Sequence, residues 1–341
     1  MILYIGNKLS RHGNTPPSVE TLGERLGAFF DVVTVSDKKN RLLRLADMVS
    51  AIVRYRKRID VVLIDTYSTA NFNYAWLCAR TARFFRLAYI PILRGGELEN
   101  RLKNDGKRSR DIFAHSALNV APSGFMAHIF ERYGYETITI PNSIDIDRYV
   151  FKRREAVRPK LLYVRAFSKL YNPAMALRVL RRLKRSCPDA ELCMVGPDRD
   201  GTLEEVKKKA EEMSLAESVR FTGKLTKEAW HTLSQEYDIF INTTNADNTP
   251  VSVIEAMALG LPVVSTNVGG IPFLLEEGKE ALLVAPDDDE AMANAIMELT
   301  EHPAEARAVA EAARKKAESF DTKRVLRMWR EILEPLCRKE R

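Results

Sequence analysis

The sequence predicts an α/β protein of two doubly wound domains, each a parallel sheet with helices on both faces. Twelve short apolar runs recur along the 341 residues, helix-length segments separate them, and the pattern lapses once near the middle. Runs that are apolar throughout suit strands buried on both faces, and the long spacers suit crossover helices. In the first half the runs are MILYIG, DVVTVS, VVLID, AYIPILR, LNVAPS and TITIPN. In the second they are KLLYV, ELCMVG, VRFTG, IFINT, PVVST and ALLVAP. The lapse, from Pro141 to Lys160, is polar and aperiodic, which marks a domain junction. A chain this long exceeds the size at which one core stops growing. The expected domains are residues 1–155 and 156–319, with a tail at 320–341 after two helical stretches, 287–301 and 303–318. In such sheets ligands sit beyond the carboxyl ends of the strands, so two facing domains imply a site in the cleft between them.

Composition narrows the function classes. No apolar run is long enough to span a bilayer, and MILYIG reads as a first strand rather than a signal peptide, so the cytoplasm is the expected compartment. Cys78, Cys187, Cys193 and Cys337 form no CxxC pair, and the five histidines show no ligand spacing, so neither a disulfide framework nor a metal site is expected. The acidic triplets at Asp145–Asp147, Asp198–Asp200 and Asp287–Asp289 read as solvated loop residues. Neither GxSxG nor a P-loop occurs, which removes the hydrolase and kinase readings.

Basic residues outnumber acidic ones by 53 to 46, giving a net charge of +7. The excess gathers in the first half: Lys38, Lys39, Arg41 and Arg44 precede an apolar helical segment, and Arg54, Arg56, Lys57 and Arg58 follow it. Residues 38–58 thus suit an anionic membrane surface, although the same apolar residues also fit a core-facing stripe. Nucleic acid is not expected as a partner, because aromatics are not interleaved with the basic clusters.

The segment from Asn245 to Pro272, NADNTPVSVIEAMALGLPVVSTNVGGIP, carries the most chemistry. Thr249 is the expected N-cap with Pro250 at the first helical position, and Gly260 is the left-handed stop. Val251, Ile254 and Ala258 form the expected buried stripe. Asp247 then lies in the loop at the positive end of a helix and Glu255 on its second turn, two carboxylates bordering one anion-attracting pocket. Arg165 and Lys169 follow the first strand of the second domain, where Arg supplies a bidentate contact and Lys a point charge for a diphosphate. Gly196 and Gly223 end strands at turns against which a nucleobase would lie, though such glycines need no ligand to explain them. In the first domain, Gly13 opens a helix and Arg94 precedes the pair Gly95–Gly96, two further places where an anion or sugar, or simply a turn, fits.

Together these residues resemble the retaining glycosyltransferases of family four, which have the GT-B architecture of two facing Rossmann-like domains. The resemblance spans the chain and is strongest from Thr243 to Pro272, which looks like the family's Glu-x7-Glu segment. VAPSGFMAHIFERYGY, PNSIDIDRY, VGPD, FTGKL, YDIFINTT and SFDTKRVLRMW support it. The resemblance implies that Glu255 holds the ribose hydroxyls of a nucleotide diphosphate sugar, with a uridine-linked donor expected. It further implies that Asp247 and the backbone after it (Asn248, Thr249, Pro250, Val251) address the transferred sugar, that Gly196, Gly223, Leu225 and Gly13 line the donor, and that Arg165 and Lys169 bind the diphosphate. The acceptor, a glycan or lipid-linked saccharide, attacks the face the nucleotide leaves, with no protein nucleophile, no cofactor and no metal. The tail returns to the first domain. There are four departures: Asp247 stands for the usual Glu, Arg94 stands where many relatives have His, Gly13 stands where a Gly-Gly pair is common, and the spacing from Arg165 to Lys169 is one residue shorter than usual. The same fold would also serve an epimerase or phosphorylase, or a membrane-associated scaffold that binds nucleotide sugar without turnover.

Overall fold

The computed structural model describes residues 1–10 and 17–337. The chain forms two compact units, residues 1–142 with 323–341, and residues 143–322. Gly13 lies outside the described residues.

In the first unit the elements are β1 (Ile2–Ile5), α1 (Ser18–Leu26), β2 (Val32–Val35), α2 (Arg41–Tyr55), β3 (Val61–Tyr67), α3 (Asn71–Phe84), β4 (Ala88–Arg94), α4 (Leu98–Asn104), α5 (Gly106–Phe113), β5 (Val120–Ala121), α6 (Gly124–Arg132) and β6 (Ile138–Thr139). The strands form one parallel sheet in the order β2-β1-β3-β4-β5-β6, with Ile2 paired to both Val32 and Val61. β1 and the first six residues of β3 are buried on both faces, as the apolar runs at residues 2–5 and 61–64 require, and β3 carries Asp65 and Thr66 into the interior as well. The runs LNVAPS and TITIPN yield only two-residue strands at the sheet edge. Side-chain caps begin two helices: Asn40 accepts from Leu42 N–H at 2.9 Å in α2, and Ser123 accepts from Met126 N–H at 3.2 Å in α6.

In the second unit the elements are β7 (Lys160–Val164), α7 (Pro173–Leu183), β8 (Glu191–Val195), α8 (Thr202–Glu212), β9 (Val219–Gly223), α9 (Lys227–Leu233), β10 (Ile239–Asn242), α10 (Val251–Ala258), β11 (Val263–Thr266), α11 (Ile271–Leu274), β12 (Leu282–Val284), α12 (Asp289–Glu301) and α13 (Pro303–Glu318). These strands also run parallel, in the order β12-β11-β10-β7-β8-β9, so the direction of winding reverses between β7 and β10. Each face of the sheet carries its own apolar cluster, one around Leu161, Met194 and Ile241, the other around Leu162, Phe240 and Val263. The last helix, α14 (Thr322–Cys337), buries Val325, Trp329 and Leu333, at helical spacing, against Ile2, Tyr4 and Leu63 of the first unit.

Residues 143–155, expected in the first domain, pack in the second unit. Ile144 and Tyr149 join its apolar cluster, and Ile144 exchanges backbone hydrogen bonds with Phe320 and Thr322 at 2.9 and 2.8 Å. Arg154, only 4% exposed, donates to the carbonyls of Lys152, Ser234, Tyr237 and Gly260. Aperiodic sequence here reflects a strap held by polar contacts instead of an amphipathic element.

Candidate functional site

A ligand of an open parallel sheet binds where the winding reverses. In the second unit that point is the gap between β7 and β10, and the loops leaving those strands carry Arg165 and Asp247. They are stitched together. Thr243 Oγ1 donates to the carbonyls of Tyr171 and Asn172 at 3.0 and 2.9 Å, and Asn245 N–H donates to Leu170 O at 2.8 Å. Arg165 Nη2 then forms an ion pair with Asp247 Oδ2, both side chains being 14% exposed. The Arg165 guanidinium lies over the Tyr171 ring, 4.1 Å from its centroid.

Two glycine positions make this geometry possible. A Cβ on Gly196 would stand 1.9 Å from Arg165 O, so only glycine lets β8 end against the turn that aims Arg165. A Cβ on Gly270 would stand 1.7 Å from Asn248 O, and the Gly270 N–H donates to Asp247 O at 2.8 Å. The Gly269–Gly270 turn after β11 is therefore the floor on which the Asp247 loop rests.

Helix α10 begins one residue later than the sequence suggests. Pro250, with ψ 112°, is the N-cap, and the Thr249 hydroxyl makes no capping bond. Proline at this place offers no side-chain acceptor to the helix, and the hydroxyls of Thr249 and Ser252 are buried without partners. The helix is not amphipathic: every residue from Val253 to Ala258 is buried, and Val251, expected in the buried stripe, is only half-buried. Its end matches expectation, with Gly260 at φ +79° and Leu261 N–H donating to Ala256 O at 3.0 Å.

Glu255 is 4% exposed, and its Oε1 accepts from Tyr149 Oη at 2.8 Å and Lys227 Nζ at 2.6 Å. Burial, then the Glu255 carboxylate, push the Tyr149 hydroxyl far above its ordinary range. His231 lies against Tyr149 with ring centroids 4.5 Å apart and the planes tilted by 45°, and burial lowers its pKa. Neither Tyr149, Lys227 nor His231 was identified from the sequence. Tyr149 ends PNSIDIDRY, a segment that carries the resemblance, and Lys227 lies two residues beyond FTGKL, outside it. Lys169 is exposed in a short turn whose N–H donates to Asp200 Oδ2 at 3.2 Å. Gly223, at φ +69°, accepts at its carbonyl from Gly196 N–H at 2.9 Å, and Leu225 packs beside α10.

Of the buried side-chain polar atoms without partners among the described residues, Arg165 Nε, Thr249 Oγ1, Ser252 Oγ and His231 Nε2 belong to this neighbourhood. Buried polar atoms are ordinarily satisfied, so their concentration here marks a surface built for a polar ligand.

The acidic triplets serve the fold. Asp198 accepts from Gly201 N–H at 3.1 Å, Asp288 caps α12 through Ala291 N–H at 2.8 Å, and Asp145 pairs with Arg148 at 3.0 Å. Among the described residues no group of three or more His, Cys, Asp or Glu side chains is placed to hold a metal ion.

In the first unit Arg94 is not free to receive an anion with its whole fork. Its Nε donates to Asp65 Oδ1 at 3.1 Å, its Nη2 to Tyr4 Oη at 3.4 Å, and its Nη1 to Asn142 Oδ1 at 2.9 Å. Burial pushes the Asp65 carboxyl up despite Arg94, whereas burial works to lower Arg94 and the Asp65 carboxylate overrides it. The pair is internally neutralised. Within the basic stretch, Arg44 is likewise only 6% exposed, donating to Lys38 O and Lys39 O at 2.7 and 2.9 Å. Leu42 and Leu43 are 78% and 62% exposed at the start of α2.

The chain is similar to known glycosyltransferases. The amylovoran biosynthesis glycosyltransferase AmsK of Erwinia amylovora is 28% identical over 311 residues, covering 85% of this chain and 74% of that protein. Glycogen synthase of Mycobacterium tuberculosis is 30% identical over 190 residues, and the matched region is 45% of its length. The structure of HepE from Anabaena in complex with UDP-glucose superposes with a TM-score of 0.74 at 18% identity, over 98% of this chain and 99% of that one, which establishes a shared GT-B fold. Residues 145–316, half of the chain and nearly all of the second unit, match the family model of the group 1 glycosyl transferases; the chain belongs to that family.

Proposed function

We propose that the chain is a retaining hexosyltransferase that takes its sugar from a nucleotide diphosphate donor, uridine-linked, and passes it to a glycan or lipid-linked acceptor at the cytoplasmic face of the membrane. The observation that carries this reading is the grouping of Arg165, Asp247, Glu255 and the unpaired hydroxyls of Thr249 and Ser252 around the head of α10, at the winding reversal of the second sheet. HepE, with the same fold, binds UDP and UDP-glucose. Glu255 would take the ribose hydroxyls, while Arg165 and Lys169 would take the diphosphate and stabilise its charge as the sugar–phosphate bond breaks. The acceptor oxygen bonds to the anomeric carbon on the face the phosphate leaves, and a departing phosphate oxygen receives the acceptor proton. This electrostatic role requires no metal and no protein nucleophile.

Calorimetry with uridine, guanosine and adenosine diphosphates tests the donor site. We expect one of them to bind, and Glu255→Gln to weaken it by about tenfold to a hundredfold, the effect of removing a hydrogen bond to a charged acceptor. Absence of binding by all three, or an unchanged affinity in Glu255→Gln, overturns the reading. Product analysis without acceptor separates a transferase from an epimerase or phosphorylase.

Membrane attachment through the start of α2 is a second part of the proposal, supported by the exposure of Leu42 and Leu43 beside Lys38, Lys39 and Arg41. At about 1 kcal/mol per basic residue, reversing those three charges should lower affinity for phosphatidylglycerol vesicles by at least about a hundredfold. Unchanged sedimentation refutes it. Arg44 is left intact because it holds the loop.

A further inference from the structure

We infer that Asp247 and Arg165 form an interlock that makes diphosphate binding and sugar recognition conditional on each other; this rests on the donor-site reading above. Both oxygens of Asp247 are engaged within the chain. Oδ1 accepts from Asn248 N–H at 2.8 Å, and Oδ2 is paired with Arg165 Nη2. The cation expected to hold the diphosphate is thus neutralised by the carboxylate expected to hold the sugar. A diphosphate that claims Arg165 must displace Asp247.

Arg165 is arranged for that exchange. Its Nε is buried without an acceptor, so the pair with Asp247 leaves one edge of the guanidinium half satisfied. A phosphate offers two oxygens to Nε and Nη2 together, the bidentate geometry that a single carboxylate oxygen does not supply. The Tyr171 face beneath, 4.1 Å away, supports the cation in either state, and the carbonyl of Arg165 is fixed by Gly196. The side chain exchanges partners while its backbone stays in place.

The consequence is differential. A nucleoside diphosphate without sugar takes Arg165 and leaves Asp247 with a released, partly buried oxygen. A nucleotide sugar does the same but brings hydroxyl donors to that oxygen. The interlock therefore favours the intact donor over the product, and recapture of Arg165 by Asp247 helps expel the product after transfer. Asp247 acts as a specificity-determining residue through competition for Arg165 as well as through contact with the sugar.

The test measures the affinities of uridine diphosphate and uridine diphosphate glucose for the wild-type chain, Asp247→Asn, Asp247→Ser and Glu255→Gln by calorimetry, with a thermal melt on each. Where another diphosphate proves to be the binder, it and its hexose conjugate replace the uridine pair. Asparagine keeps the acceptor for Asn248 N–H and removes the charge; serine provides a second neutral side chain should the first fail to fold. We expect Asp247→Asn to bind the diphosphate about tenfold tighter, with a smaller gain for the sugar conjugate, so that the preference for the conjugate narrows. Equal or weaker diphosphate binding in both neutral variants, with wild-type binding present and weakened by Glu255→Gln, overturns the interlock alone. Absence of nucleotide binding by the wild-type chain overturns the donor-site reading and the interlock with it.

Discussion

Gly270→Ala is expected to lower transfer by about a hundredfold or more while leaving the second sheet folded. The added Cβ would lie 1.7 Å from Asn248 O, 2.6 Å from its carbonyl carbon and 3.1 Å from its Cα, all backbone atoms with no flexible end to yield. The backbone conformation of Gly270 is ordinary, φ −86°, so the effect is steric and falls on the opposite loop. That loop is the one carrying Asp247, and it is held by the Gly270 N–H to Asp247 O bond of 2.8 Å. Overpacking of this kind costs about 1–3 kcal/mol of stability, whereas misplacing a reacting group by about an ångström costs about a hundredfold in rate. Circular dichroism and a melt should therefore change modestly and activity greatly. Wild-type turnover in the variant would show that the Asp247 loop does not position chemistry. Gly269→Ala meets Asp247 O at 2.3 Å and adds the strain of φ +54°, so it should be at least as damaging.

Arg154→Met is expected to give the largest loss of stability, about 3–5 kcal/mol in the second unit, the cost of removing one partner from a buried ionic network. Arg154 is 4% exposed, and Asp238, 3.7 Å away, is 1% exposed. Burial pushes the Arg154 guanidinium down to about 10, with Asp238 acting against it. Methionine fills the volume but withdraws the donors from four carbonyl oxygens, of which that of Ser234 keeps only the Tyr237 N–H at 3.3 Å. Asp238 keeps Arg158 Nε at 2.7 Å, which limits the loss on the acidic side. For a unit of this size the melting temperature should fall by roughly 10 °C. A shift under about 2 °C would mean that the strap at residues 143–155 contributes little.

Both expectations join a local signal to a distant one, and the same division runs through what could be read from the residues. The Gly269–Gly270 turn and the Gly260 stop were legible because a chain reversal or a left-handed residue leaves a mark at its own position. The strand runs were legible because strands buried on both faces admit few polar residues. Arg94 was not. At the end of a strand beside two glycines it reads as an anion ligand, yet the parallel register pairs Arg94 with Tyr67 and Asp65 with Ile92, which puts Asp65 on the same face one step away. A register shifted by one residue would turn Asp65 to the other side of the sheet. Nothing local to Arg94 records that choice.

The head of α10 lies one residue beyond the position its local sequence favours, for a related reason. Thr249 and Pro250 match the preference for a hydroxyl cap followed by proline, but the turn beneath, pressed on Asp247 and Asn248 by two glycines some twenty positions away, sets where the helix begins. The partners of Glu255 were invisible on the same ground, since Tyr149 and Lys227 lie 106 and 28 positions from it in sequence.

By itself the sequence determined that the chain winds into two parallel sheets, where its glycine turns fall and which carboxylates and cations follow the strand ends, because these depend on spacing and on the conformational range of single residues. Only the tertiary structure decided which charges face one another: Arg165 with Asp247, Arg94 with Asp65, Lys227 and Tyr149 with Glu255. Those pairings arise from strand order and register, which bring residues tens of positions apart into contact and settle whether a cation awaits a ligand or already has its counter-charge.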